Sequence, residues 1–167
     1  MTSDEDKFTE EEAHKKFAEE FFNNTWEYIE KKCLTEKEKE KMINLAHASR
    51  LHWDAVGSYL QYQRGEWMLS LVYSLVGRGE PALYHAEKCL ELTEKYGDIN
   101  EYGFKDFDIA FAYECMARAS KVAGNEEEYE KYYKIAEEKG EKIEDDSNKE
   151  WFFDCLEGIP ESRIKGI

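Results

Sequence analysis

Beside the carboxylates, the side chains able to do acid–base or metal chemistry are few: His14, His47, His52 and His85, and the thiols Cys33, Cys89, Cys115 and Cys155. His47 and His52 lie five residues apart, about 140° around a helix, so they cannot hold one metal as an i,i+4 pair would. Glu11-x-x-His14 has the Glu-x-x-His spacing of di-iron bundles. Such sites need the motif twice with two further glutamates, and here it occurs once, in a highly charged first turn. No C-x-x-C, G-x-S-x-G, Walker loop or H-E-x-x-H occurs, so neither redox, hydrolytic, nucleotide nor zinc-protease chemistry has positive support. The expectation is a protein without catalytic residues, metal or cofactor.

Charge narrows the partners. The chain has 167 residues with 38 acids against 23 bases, a formal net charge of −15. That speaks against nucleic acid, whose binding rests on Lys and Arg neutralising phosphates. No apolar run reaches the roughly 18–20 residues that span a bilayer. The acidic start, Met1-Thr2-Ser3-Asp4-Glu5-Asp6, lacks the basic-then-apolar order of a signal peptide. The expected setting is cytoplasmic, away from membranes, with the cysteines as free thiols used as small core residues.

The elements that must position any site are helices. Apolar residues recur every three or four positions, and proline occurs only at 81 and 160. Thr9-x-x-Glu12, Thr35-x-x-Glu38, Asn125-x-x-Glu128 and Ser147-x-x-Glu150 read as capped helix starts. Pro81 suits a first turn, and Gly97, Gly140 and Gly158 stand where left-handed caps are expected, with Pro160 beyond the last. This predicts seven helices at about 9–32, 36–56, 64–77, 81–96, 107–123, 126–142 and 148–157 within one domain, 1–167. Residues 57–65 read as a loop or an early turn of the third helix. The loop after Gly97 should pack down on its Ile99, Tyr102 and Phe104 side chains.

Two stretches repeat. Leu69-Ser70-x2-Tyr73-x3-Gly77-x4-Ala82-x3-Ala86-x2-Cys89 has the spacing of Met116-Ala117-x2-Ser120-x3-Gly124-x4-Tyr129-x3-Tyr133-x2-Ala136, with glycines 47 residues apart. The pattern resembles the tetratricopeptide repeat, lengthened from 34 residues mainly by the loop after Gly97. The wider stretch from Arg64-Gly65-Glu66-Trp67 to Ala110-Phe111-Ala112-Tyr113-Glu114 looks like a prokaryotic group of helical-repeat proteins, a likeness that implies fold and no activity.

The resemblance implies an all-α fold of antiparallel helix hairpins stacked as a short right-handed superhelix. A divergent first hairpin would occupy 9–56, repeat-like hairpins 63–96 and 107–142, and a capping helix 147–158. It puts Cys89 at a small-residue position between helices, which argues against a Cys–His nucleophile pair with His85 and Cys115. It also implies a concave groove lined by the first helix of each hairpin, here Arg64, Trp67, Leu71 and Ser74, then Phe111, Glu114, Arg118 and Lys121. The function implied is a protein-interaction module that holds a peptide or partner segment, an anionic one given Arg64, Arg118 and Lys121. Four of five arginines fall between positions 50 and 118. An alternative is a small-molecule sensor or enzyme with a pocket around His47, Arg50, His52 and His85. A third reading fills the groove with residues 161–167 or with a second copy of the chain.

Overall fold

A computed structural model describes residues 7–159; the acidic start at 1–6, Pro160 and the 161–167 segment lie outside them. Among the described residues the fold is all-helical, with seven α-helices and no strand. They are α1 (Glu10–Ile29), α2 (Glu36–Val56), α3 (Tyr59–Leu75), α4 (Gly79–Tyr96), α5 (Asp106–Val122), α6 (Glu126–Gly140) and α7 (Asp146–Glu157). α1 packs on α2, α3 on α4 and α5 on α6, so the short connections make three antiparallel hairpins. They stack in chain order through α2 on α3 and α4 on α5, and α7 closes the end against α5 and α6.

The starts of α1 and α2 follow from reciprocal capping. Thr9 and Thr35 each accept the backbone N–H of the glutamate three residues on, and that glutamate's carboxylate accepts the cap residue's own N–H. Asn125 likewise accepts from the Glu128 N–H at 3.2 Å. Pro81 sits in the first turn of α4, as the missing proline N–H favours.

Three boundaries differ from the sequence reading. α3 begins at Tyr59 and not near 64, because Ser58 donates its N–H to the Gln61 side chain at 2.8 Å and Tyr59 stacks on Tyr96 at 3.6 Å. α7 is capped by Asp145, which accepts the Asn148 N–H at 2.8 Å, two residues before Ser147. Gly97 and Gly158 are right-handed, with φ of −61° and −75°, and Gly140 ends α6 inside the helix. The left-handed residue of the long loop is Gly103, at φ 72°, after a 3-10 turn at Asn100–Tyr102. In that loop Tyr102 packs edge-on against Tyr59 and Tyr96, whereas Ile99 remains 42% exposed.

The two repeat glycines occupy equivalent turns. Gly77 and Gly124 have φ of 75° and 79°, a region that costs any residue with a Cβ. The N–H of the following residue reaches back five positions in both, Arg78 to Tyr73 O and Asn125 to Ser120 O, each at 2.9 Å. The small residues of the pattern lie where helices approach closely: Ser70, Ala82, Ala86, Cys89, Ala117, Ser120 and Ala136 are fully buried, and the Ser70 hydroxyl donates to Ala82 O at 3.0 Å. Cys115 and Cys155 are also buried, Cys33 is exposed, and all four thiols are free. No helix among the described residues is long and apolar enough to cross a membrane.

Candidate functional site

Residues at i, i+3 and i+4 of α3 share one face, which places Gln63, Arg64 and Trp67 side by side. Opposite them α5 presents Asp108 and Phe111, α1 presents Phe22 and Trp26, and α7 presents Trp151. With Phe107 these side chains line a cleft of about 210 Å³. Its aromatic wall is continuous. Trp26 touches Trp67 and Trp151, with ring centroids 6.0 and 6.1 Å apart, and Phe111 lies 5.6 Å from Trp67 and 4.8 Å from Trp151. Such tilted and edge-on contacts hold rings rigidly at little entropic cost.

Two polar groups face this wall. Arg64 makes a two-pronged pair with Asp108, Nε to Oδ1 at 2.8 Å and the terminal nitrogen to Oδ2 at 2.9 Å, and lies 5.6 Å from the Phe107 ring. Asp108 also accepts the Lys105 N–H at 2.9 Å, so its carboxylate starts α5 and orients Arg64 together. Gln63 is 1% exposed and donates through Nε2 to Thr93 Oγ1 at 3.1 Å and to Asp108 O at 3.0 Å. Its Oε1 and the Trp67 Nε1–H have no hydrogen-bond partner although both are buried. A second compartment of about 320 Å³ shares Phe22 and Arg64 with the first and is otherwise lined by Glu19, Asn23, Trp53, Gln61 and Gly65.

The expected groove residues fall into three groups. Arg64, Trp67 and Phe111 line the cleft. Leu71, Ser74, Glu114 and Arg118 are buried, with Arg118 and Glu114 each 1% exposed. Arg118 donates to Glu114 at 2.8 Å and, across the helix boundary, to the Cys155 carbonyl of α7 at 2.9 Å. The capping helix therefore lies over the α5 end of the groove. Lys121 is half-buried and bonds Glu126 at 3.0 Å. Gln63, Phe22, Trp26, Phe107, Asp108 and Trp151 were not reached from sequence, because they come from four helices. The Ser58–Gln61 cap was the one local signal that would have extended α3 back to Gln63.

The other candidate cluster assembles in part. His85 Nδ1 lies 2.6 Å from Glu66 Oε2, and Arg50 donates through Nε to Glu66 Oε1 at 3.1 Å. His47 lies 5.6 Å from His85 and its Nε2 is 2.9 Å from the Tyr73 hydroxyl. Burial pushes the Glu66 carboxyl up, but His85 and Arg50 more than offset it and hold it below its ordinary value. Partial burial and the neighbouring His85 lower His47. Gly65 admits this arrangement, since a Cβ there would stand 2.5 Å from Arg50 Cδ. His52 belongs elsewhere: it meets His14 at 2.9 Å, among Phe17 and Phe21. Burial also raises the Cys115 thiol well above its usual range, the environment of an inert cysteine. Comparison with known proteins finds no matching family model, no matching curated protein and no matching solved structure.

Proposed function

We propose that the protein is a non-catalytic interaction module that takes up a segment of a partner protein in the cleft between α1, α3, α5 and α7. The observation that carries this reading is the aromatic cavity of about 210 Å³, which shares Phe22 and Arg64 with a second, more polar compartment. Rigid aromatic anchors around a pocket are the usual core of recognition surfaces. The paired turns at Gly77 and Gly124 support a tetratricopeptide-like origin of the hairpins. Four free thiols support a cytoplasmic setting. Support for an anionic partner is weaker, since Asp108, Glu114 and Glu126 already pair with Arg64, Arg118 and Lys121. The alternative pocket around His47, Arg50, His52 and His85 also has less support, because His52 lies apart and Arg50, Glu66 and His85 bond one another.

The test is a displayed random-peptide library panned on the protein and on its Phe22→Glu variant, after both are shown to melt alike. Phe22 is half-buried at the cleft wall, so a carboxylate there should block entry. Enriched peptides should bind the parent and fail on the variant. Equal binding to both, or no enrichment, refutes the cleft as the site.

A further inference from the structure

Two tyrosines close the open end of the α3–α4 hairpin. Tyr59 is the first residue of α3 and Tyr96 the last of α4, while the turn at Gly77 joins the other ends. Their rings lie face to face, with centroids 3.6 Å apart and planes 7° from parallel. Their hydroxyls are hydrogen-bonded, Tyr59 donating to Tyr96. Parallel rings whose hydroxyls meet must stack head to head, so the ortho carbons of one ring face those of the other. The Tyr59 hydroxyl, helped by Lys95, holds the Tyr96 phenol below its ordinary value, and the same bond raises Tyr59. Tyr102 packs edge-on against both rings, at 5.0 and 5.6 Å, and Tyr62 edge-on against Tyr59 at 5.9 Å, so the stack is braced from its rim. Both stacked tyrosines are half-buried, which leaves them within reach of a dissolved oxidant.

We propose that this pair is an oxidative modification site, at which Tyr59 and Tyr96 join through their ortho carbons as a dityrosine within one chain. The co-reactant is a peroxide activated to one-electron steps. It takes an electron and the hydroxyl proton from each phenol, leaving two phenoxyl radicals. Their unpaired electrons form one Cε–Cε bond, and each bonded carbon then passes its hydrogen to its own ring oxygen, restoring both phenols. Two tyrosines thus give one dityrosine, two protons and two electrons, which reduce one hydrogen peroxide to two waters. Coupling needs aligned orbitals with the reacting atoms about 3–3.5 Å apart, and a head-to-head stack at 3.6 Å nearly supplies that separation with the π faces opposed. The edge-on contacts of Tyr62 and Tyr102, and that of Tyr129 with Tyr133 at 5.7 Å and 71°, set those orbitals across one another. Tyr59 and Tyr96 both stand at helix ends, which fray, so the rings can swing into the shared bond without opening the core. The product closes residues 59–96 into a covalent ring. One turn further in, Gln63 donates to Thr93 across the same two helices at 3.1 Å, so the link fastens the helix that carries the cleft wall.

The test is brief exposure of the dilute protein to hydrogen peroxide and a haem peroxidase, followed by denaturing electrophoresis and mass spectrometry of a digest. The monomer band should acquire the blue fluorescence of dityrosine. The digest should contain one linked pair of peptides, carrying residues 59 and 96, lighter than their sum by two hydrogens. Tyr59→Phe and Tyr96→Phe keep the stacked rings, remove a phenol and should each abolish the linked pair. Tyr62→Phe and Tyr102→Phe keep the bracing rings and should leave it in place. All four variants are first shown to melt like the parent, so that a loss of linkage reports the missing phenol. Fluorescence confined to bands of two or more chains overturns the proposal, as does hydroxylated tyrosine without any link. A link that survives in Tyr59→Phe or Tyr96→Phe, or that disappears in Tyr102→Phe, assigns the reaction to another pair and overturns it as well.

Discussion

Replacing Arg118 by Met tests how the capping helix is held. Arg118 and Glu114 are each 1% exposed, their N–O distances are 2.8 and 2.7 Å, and Arg118 also donates to Cys155 O on α7 at 2.9 Å. Removing the guanidinium leaves the Glu114 carboxylate buried without its cation, which costs about 3–5 kcal/mol. For a chain of this size each kcal/mol lowers the melting temperature by about 2–4 °C, so the expected fall is about 6–20 °C. The sharper measurement is the double variant Glu114→Leu with Arg118→Met. Exchanging a whole buried pair for apolar side chains is often neutral or stabilising, so the double variant should recover most of the loss. Circular dichroism melts of the four proteins, parent, two singles and the double, complete the cycle. A single variant that melts within about 2 °C of the parent, or a double no better than Arg118→Met, refutes the reasoning.

Ala117 is fully buried between hairpin helices, so Ala117→Leu should overpack it and cost about 1–3 kcal/mol in a urea titration; an unchanged midpoint would mean that the face can expand. Gly77→Ala and Gly124→Ala each force a Cβ into a left-handed turn and should cost about 1–2 kcal/mol apiece by the same titration. Of the four thiols only Cys33 is exposed, so a thiol reagent should take up one equivalent quickly and the other three on unfolding. Glu66 and His47 are both held on the deprotonated side by the fold, so their contributions are complete above the ordinary values. They drain as pH falls, His47 first from about 6.5 and Glu66 from about 4.5. Melting temperature should therefore decline from pH 7 toward pH 4, with the lower step reduced in Glu66→Gln; a flat profile would count against the network.

What was legible in the sequence was local. Thr9 and Thr35 announce their helices because the capping partner is three residues away, and Gly77 and Gly124 announce equivalent turns because only glycine suits a positive φ. Two glycines close together, at 57 and 65, left the stretch between them open as a loop or an early turn of α3, and it is helix from Tyr59. The second of them instead clears a passage for Arg50 across a continuous helix. The site was half legible for the same reason. Arg64, Trp67 and Phe111 follow from the register of α3 and α5. Asp108, 44 residues from Arg64, and Trp151, on a helix outside the repeat, become neighbours only through stacking. Glu114 and Arg118 have the side chains of a binding surface, yet the fold spends them on securing α7.

The contact between Trp26 and Trp151 closes the cleft from two helices separated by 125 positions. During synthesis the cavity cannot exist until α7 has emerged and docked, long after α3 has supplied Gln63 and Trp67. A chain cut short before Trp151 would leave those rings facing solvent, a sticky surface in place of a selective one. Any partner that occupies the completed cleft would in turn favour the docked state of α7 by mass action. Hydrogen exchange along Asp146–Glu157 would then slow in proportion to occupancy, making the last helix a gauge of whether the site is filled.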